Sequence, residues 1–415
     1  MRSFLVFIVY ISLEGYDGLM YQIRELLNIA VKGKASDLHI KPGMVPMFRV
    51  NGKLYPIKHG KIVTAEDTQR MAYGMMTQEQ IKRFKEKPEM DVAHSEDKIG
   101  RFRVNIFQQR GSVGMAIRSI PFDVPDLDDL GLPEVIKTLC DKHRGLILFT
   151  GATGSGKSTS LAAMIKKINQ TRSGHILTIE DPIEYLIKDE KCIINQREVG
   201  LDTDGYSSAL RAALRQDPDI ILVGEMRDEE TIHTALVAAE TGHLVLSTLH
   251  TLDAGETINR ILTTFPPHQQ RQIRLQLGAV LQAIISQRLV PTKDGKSRAP
   301  ACEVLINNSR IREMIENEEK TREISDAIAQ GKTSFGMQTF DQSLMQLLTQ
   351  GLITYDEALR QSSNPDDFAL KMKGVDSTGA SKWDDFDSRA HDDKRDKMSY
   401  TQDDDDDDAM NIERF

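Results

Sequence analysis

The chain has 415 residues, 40% of them hydrophobic, enough for two or three domains with their own cores, which excludes a short peptide module or a fibre. Its formal charge of -9 comes almost wholly from residues 375–415, where 14 Asp and Glu face 6 Lys and Arg; the near-neutral body lacks the basic stripe of a duplex-binding protein. Cys140, Cys192 and Cys302 lie far apart with no CxxC pair, which excludes a disulfide framework or a zinc knuckle and fits a reducing cytoplasm.

The apolar run Phe4 to Ile11 is far shorter than the roughly 20 residues that span a bilayer, and no small-residue cleavage site follows it. Translation is therefore expected to start at Met20, with residues 1–19 an extension that is either upstream readthrough or a weak membrane-touching leader. From Met20 the pattern Ile23, Leu26, Leu27, Ala30 predicts an amphipathic helix. Short alternating runs (MFRVNGKLYPI, RFRVNIF, GMAIRSI) with a helical stretch at 66–86 then predict a small α+β domain over 20–118. The Pro- and Asp-rich segment that follows predicts a hinge at 119–126, and 127–374 a second domain. Low apolar content and six consecutive Asp make 375–415 an acidic disordered tail.

The second domain opens with an apolar strand, Leu146 to Phe149, running into Gly151, Ala152, Thr153, Gly154, Ser155, Gly156, Lys157, Ser158 and Thr159, a GxxxxGK[ST] loop. Glycines let backbone N–H groups face phosphate oxygens, and the helix that follows adds its positive end. Lys157 is expected on the β and γ phosphates of ATP and Ser158 on Mg²⁺. Three later strands end in polar residues where a doubly wound sheet binds its ligand. TIEDPIEY brings Glu180, Asp181 and Glu184, DIILVGEMRD brings Glu225, Arg227 and Asp228, and GHLVLSTLHT brings His243 and His250.

Taken together, ASDLHI, GRFRVNIFQQRG, the P-loop, TIEDPIEY, LRQDPDIILVGEMRD, TGHLVLSTLHT and GMQTFDQSL resemble the secretion ATPases of the type II and type IV pilus systems, over about residues 20–374. The resemblance implies an α/β fold, with a RecA-like P-loop ATPase domain preceded by a PAS-like α+β domain. It also implies that Glu225 polarises the attacking water, that Mg²⁺ is held by Ser158 with help from Glu180 or Glu184, and that the first domain supplies arginines to the phosphates. Arg101, Arg103, Arg110 and Arg118 are the candidates. The missing four-cysteine zinc motif and the short N-terminal region favour the pilus retraction branch over assembly. A homohexamer is then expected at the inner membrane, on the cytoplasmic side, with a pilus platform protein and a paralogous retraction ATPase as partners and no nucleic acid. Two rivals are a nucleotide-gated adaptor, countered by the intact Lys157, Ser158 and Glu225, and a DNA-handling P-loop ring, countered by the near-neutral body.

Overall fold

The structure is a computed structural model that describes residues 21–50, 52–57, 60–120 and 124–372. The expected upstream extension, the centre of the hinge (residues 121–123) and the acidic tail lie outside the described residues. By compactness the chain divides between Ala358 and Leu359. The part after that division, described as far as Met372, holds the end of helix Tyr355–Gln361 and helix Pro365–Met372, braced by a Lys371–Asp367 pair one turn apart.

Two sheets, each with its own core, make up the first unit. The first is antiparallel, in the order β3-β2-β1-β6-β5-β4: β1 Asp37–Ile40, β2 Met47–Val50, β3 Lys53–Pro56, β4 Glu89–Glu96, β5 Gly100–Gln109 and β6 Ser112–Ile120. Strand alternation decides its faces. On β5, Phe102, Val104 and Ile106 are buried in a core shared with Leu26, Leu27 and Ala30 of helix Ile23–Lys32, so Arg101 and Arg103 project from the other face. Helices Ala65–Gly74 and Gln78–Glu86 begin in capping boxes, Thr64 with Asp67 and Thr77 with Gln80, each satisfying two otherwise unpaired N–H groups.

The second sheet has the order β13-β12-β7-β11-β10-β8-β9, with β7 Gly145–Thr150, β8 Gly174–Glu180, β9 Cys192–Glu198, β10 Ile220–Val223, β11 Leu244–Leu249, β12 Leu281–Pro291 and β13 Arg298–Ile306. All its pairings are parallel except the β12–β13 hairpin. The apolar runs are continuous because both faces are covered. Leu146, Leu148, Ile221 and Val223 enter one cluster, whereas Ile147, Phe149, Ile220 and Leu222 enter the cluster on the opposite face. Parallel pairing also brings the carboxyl ends of β7, β8, β10 and β11 to one edge, the edge from which the P-loop leaves. This is a RecA-like α/β domain preceded by an α+β domain, the expected fold class.

Among the described residues of this sheet, Glu198 at the end of β9 and Glu303 on β13 are buried acidic positions. Glu303, on β13 opposite Ser286 of β12, is 7% exposed. Burial raises its carboxyl to about 7; the N–H of Ala254 and the charge of Arg288 pull it down, and Asp253 and Asp341 push it up. The fold thus favours the protonated form: a destabilisation absent below the ordinary value of 4.5 builds as pH rises and is complete above about 7. It amounts to on the order of 3 kcal/mol. Glu303→Gln, a neutral side chain of the same shape, is expected to melt a few degrees above the parent at pH 8 and within about a degree of it at pH 5. Thermal unfolding followed by circular dichroism at both values checks this; a difference independent of pH would show that Glu303 is ionised throughout.

Candidate nucleotide-binding site

The P-loop owes its shape to two glycines. Gly151 has φ 138°, and a Cβ there would lie 2.4 Å from the carbonyl oxygen of Gln287. Gly156, with φ 92°, would set a Cβ 2.7 Å from Nε2 of Gln287. Any side chain at either position meets both strain and collision. Gln287 itself accepts from Ser160 Oγ (2.9 Å), fixing helix Lys157–Thr171 to β12. The Lys157 ammonium, 7% exposed, donates to the carbonyls of Gly151 (2.7 Å) and Ala152 (3.0 Å). Desolvation lowers its pKa against the opposing pull of Glu225 and Glu184. Ser155 Oγ is buried with no hydrogen-bond partner among the described residues.

A cleft of about 510 Å³ lies over this loop. It is lined by Thr153, Gly154, Gly156, Lys157, Ser158 and Thr159 from the P-loop, and by Glu180, Asp181, Glu184, Glu225 and His250 from the other strand ends. The dispersed sequence candidates therefore meet in one place. Glu225 follows β10 with its carboxylate mostly shielded. Arg227 Nε donates to its Oε1 (2.6 Å), and His250 Nε2 lies 3.3 Å from the same oxygen. Burial pushes the Glu225 carboxyl up, but its contacts with Arg227 and His250 outweigh it and hold the group below its ordinary value. Glu225 is thus anionic at neutral pH and faces the Lys157 side of the cleft.

Glu180 has the opposite environment. Burial raises its carboxyl, although Thr178 Oγ1 (2.7 Å) and Gln196 Nε2 (3.2 Å) donate to Oε1 and the N–H of Glu184 reaches Oε2 (3.4 Å). Ser158, Glu180 and Glu184 offer hard oxygens in one cleft, the donor type that Mg²⁺ takes. No group of three His, Cys, Asp or Glu among the described residues could hold a metal unaided. The residues fit a cation shared with nucleotide phosphates.

Several expected residues have other placements. His243 precedes β11 and bonds through Nδ1 to the Ala238 carbonyl (2.9 Å), whereas His250 follows it. Six intervening strand residues at about 3.3 Å each carry His243 to the amino edge of the sheet, away from the cleft, so the expectation that both histidines stand at the ligand edge is corrected. Asp228 caps helix Glu229–Glu240 by accepting from the N–H and hydroxyl of Thr231 (both 2.9 Å). None of the four arginines lines the cleft. Arg103 is paired with Asp91 and Arg118 with Asp37, both in their own sheet, and Arg110 sits exposed at the β5–β6 turn with φ 47°. Arg101 alone of the four bonds to the second sheet: its Nη2 donates to Glu198 Oε2 (2.9 Å), which also accepts the N–H of Ile183 in the loop after Glu180 (3.3 Å).

Sequence reasoning missed Tyr206, Leu289 and Arg298, which also line the cleft, as well as Gln287 and Glu198 behind it. Arg298 and Leu289 reach the cleft only because the β12–β13 hairpin lies beside β7, a long-range pairing with no local sequence signal.

The profile of the family described as "Type II/IV secretion system protein" matches residues 13–360. "Type IV pilus retractation ATPase PilT" of Pseudomonas aeruginosa is 46% identical over 351 residues, covering 83% of this chain and 99% of that protein. "Type IV pilus ATPase PilU" of the same organism is 45% identical over 352 residues, covering 85% and 91%. The crystal structure of the pilus retraction motor PilT with bound ADP superimposes with a TM-score of 0.77 at 46% identity, covering 84% of this chain and 98% of that one. A P-loop, an anionic Glu225 and a carboxylate pair in one cleft, in a chain so closely related to these ATPases, make this protein a member of the type II/IV secretion system ATPase family.

Proposed function

We propose that this chain is an ATP-driven motor of type IV pilus retraction, working as a homohexamer at the cytoplasmic face of the inner membrane against a pilus platform protein, alongside a paralogous retraction ATPase. The observation that carries the hydrolytic part is the shared cleft, with Lys157 and Ser158 on one wall and Glu225 on the other. The retraction part is supported by the relatives named PilT and PilU, which align with this chain over most of their own length. No helix among the described residues is long and apolar enough to cross a membrane.

Lys157 and the loop N–H groups would bind the phosphates, and the Ser158 hydroxyl with Glu180 and Glu184 would hold Mg²⁺, which would supply charge neutralisation to the phosphates. Glu225, kept anionic by Arg227 and His250, orients water toward the γ phosphate and takes up its proton. Arg101 is the best supported of the four arginines as a contact to the nucleotide, because its present partner Glu198 holds the loop that follows Glu180. Rearrangement of that contact would couple the first sheet to the nucleotide.

Glu225→Gln keeps the size and hydrogen-bonding reach of the side chain but removes the anion. It is expected to bind ATP as the parent does and to turn over at least about 100-fold more slowly; fluorescent-nucleotide titration and phosphate release measure the two, and near-parental turnover would remove Glu225 from this role. In cells, deleting the gene is expected to leave more surface pili and abolish twitching. Bald cells would instead assign the motor to pilus assembly, and DNA-stimulated ATPase activity to nucleic acid.

A further inference from the structure

His250 is held toward Glu225 by its chain neighbours on two sides. On the β11 side, Thr248 Oγ1 donates to the carbonyl of Gly224 (2.6 Å) and the N–H of Met226 bonds to the Thr248 carbonyl (3.3 Å), so the strand end and the Glu225 turn are joined directly. On the other side the chain turns through Thr251, Leu252 and Asp253 into helix Ala254–Thr263. Three bonds make this turn compact. Thr251 and Thr257 join their buried hydroxyls (2.7 Å), Leu252 N–H donates to Glu256 Oε2 (2.7 Å), and Asp253 Oδ1 accepts from Glu256 N–H (2.7 Å). All three lie within residues 251–257, so they shape the turn without fixing where it sits.

Glu303 ties the turn to the sheet. Its Oε1 accepts the N–H of Ala254 at 2.8 Å, from the middle of β13. The hairpin partner β12 carries Ser286, opposite Glu303, and next to it Gln287, which holds Ser160 behind the P-loop. One hairpin thereby sets both the phosphate loop and the turn after His250. A buried carboxylate among two further carboxylates, Asp253 and Asp341, and one guanidinium, Arg288, is an expensive way to fill a core position that an aliphatic side chain would fill more stably. Accepting the Ala254 N–H is a task that an aliphatic group at this position cannot perform.

We propose that Glu303 is a positioning residue of ATP hydrolysis, anchoring the start of helix Ala254–Thr263 to β13 and so holding His250 against Glu225. The inference rests on the reading above that Glu225 and His250 act together in hydrolysis. It requires an acceptor at 303, not a charge, and it makes the effect of residue 303 depend on the imidazole at 250.

The test is a double-mutant cycle on the purified full chain, reading kcat and KM for ATP hydrolysis, with oligomeric state and melting temperature checked for each variant. Glu303→Leu is expected to lower kcat about 10-fold with KM within about two-fold of the parent, and Glu303→Gln to stay within about two-fold in both. In the His250→Ala background, Glu303→Leu should cause no further loss. If Glu303→Leu does not fold, Glu303→Asp, which keeps the charge but falls short of Ala254, takes its place in the cycle with the same expectation. Losses that multiply in the double variant, a change confined to KM, or a Gln variant as impaired as Leu would overturn the proposal. A His250→Ala chain that hydrolyses ATP like the parent would instead overturn the underlying reading of the His250–Glu225 pair, and this inference with it.

Discussion

The ion contacts of Glu225 are the constraint on which the site depends. Shielding from water pushes its carboxyl up; Arg227 at 2.6 Å and His250 at 3.3 Å outweigh that and hold it below its ordinary value. Those two partners come from different loops, after β10 and after β11, so the charge state of one side chain requires adjacent parallel strands in correct register. Val223 opposite Ser247 supplies that register, and Ser247 Oγ bonds across to the Val223 carbonyl (2.7 Å). The same geometry leaves Lys157 facing Glu225 across the cleft, so cation and anion are present before any nucleotide arrives.

Glu180 and Glu225 illustrate how one cleft separates two carboxylates. Glu180 receives hydrogen bonds from neutral donors only, and burial wins; Glu225 has a guanidinium, and the anion wins. A buried carboxyl raised above its ordinary value would gain from a nearby cation, which suits it to share a metal, while a carboxylate held below its ordinary value is suited to orient water. The opposite shifts of the two carboxyls follow from the donors that each one meets, since both are glutamates.

Much of this was legible in the sequence because its signals are local. The P-loop is a run of nine residues whose glycines have one use, and the strand before it and helix after it form from the same stretch. Glu225 and Glu180 could be placed at strand ends from the apolar runs that precede them. The histidines were harder: a single segment, GHLVLSTLHT, holds both, and only the direction of β11 decides that His250 meets the cleft while His243 does not. The arginines of GRFRVNIFQQRG show a second limit. Strand alternation identifies Arg101 and Arg103 as sharing a face, yet nothing in the sequence tells Arg101 from Arg103, because the distinguishing partner, Glu198, lies 97 residues away. Glu303, Gln287 and Arg298 were invisible for the same reason, since each acts through the β12–β13 hairpin, whose place beside β7 is a property of the whole sheet.

The central claim is that this cleft hydrolyses ATP with phosphates bound at Lys157 and a shared Mg²⁺. The most direct measurement is steady-state phosphate release by the purified chain, with Mg²⁺ and with excess chelator, beside the Lys157→Ala variant. The account predicts turnover that stops on chelation and is absent in the variant. Turnover that survives chelation or the loss of Lys157, or tight ATP binding with no turnover in the parent, would contradict it.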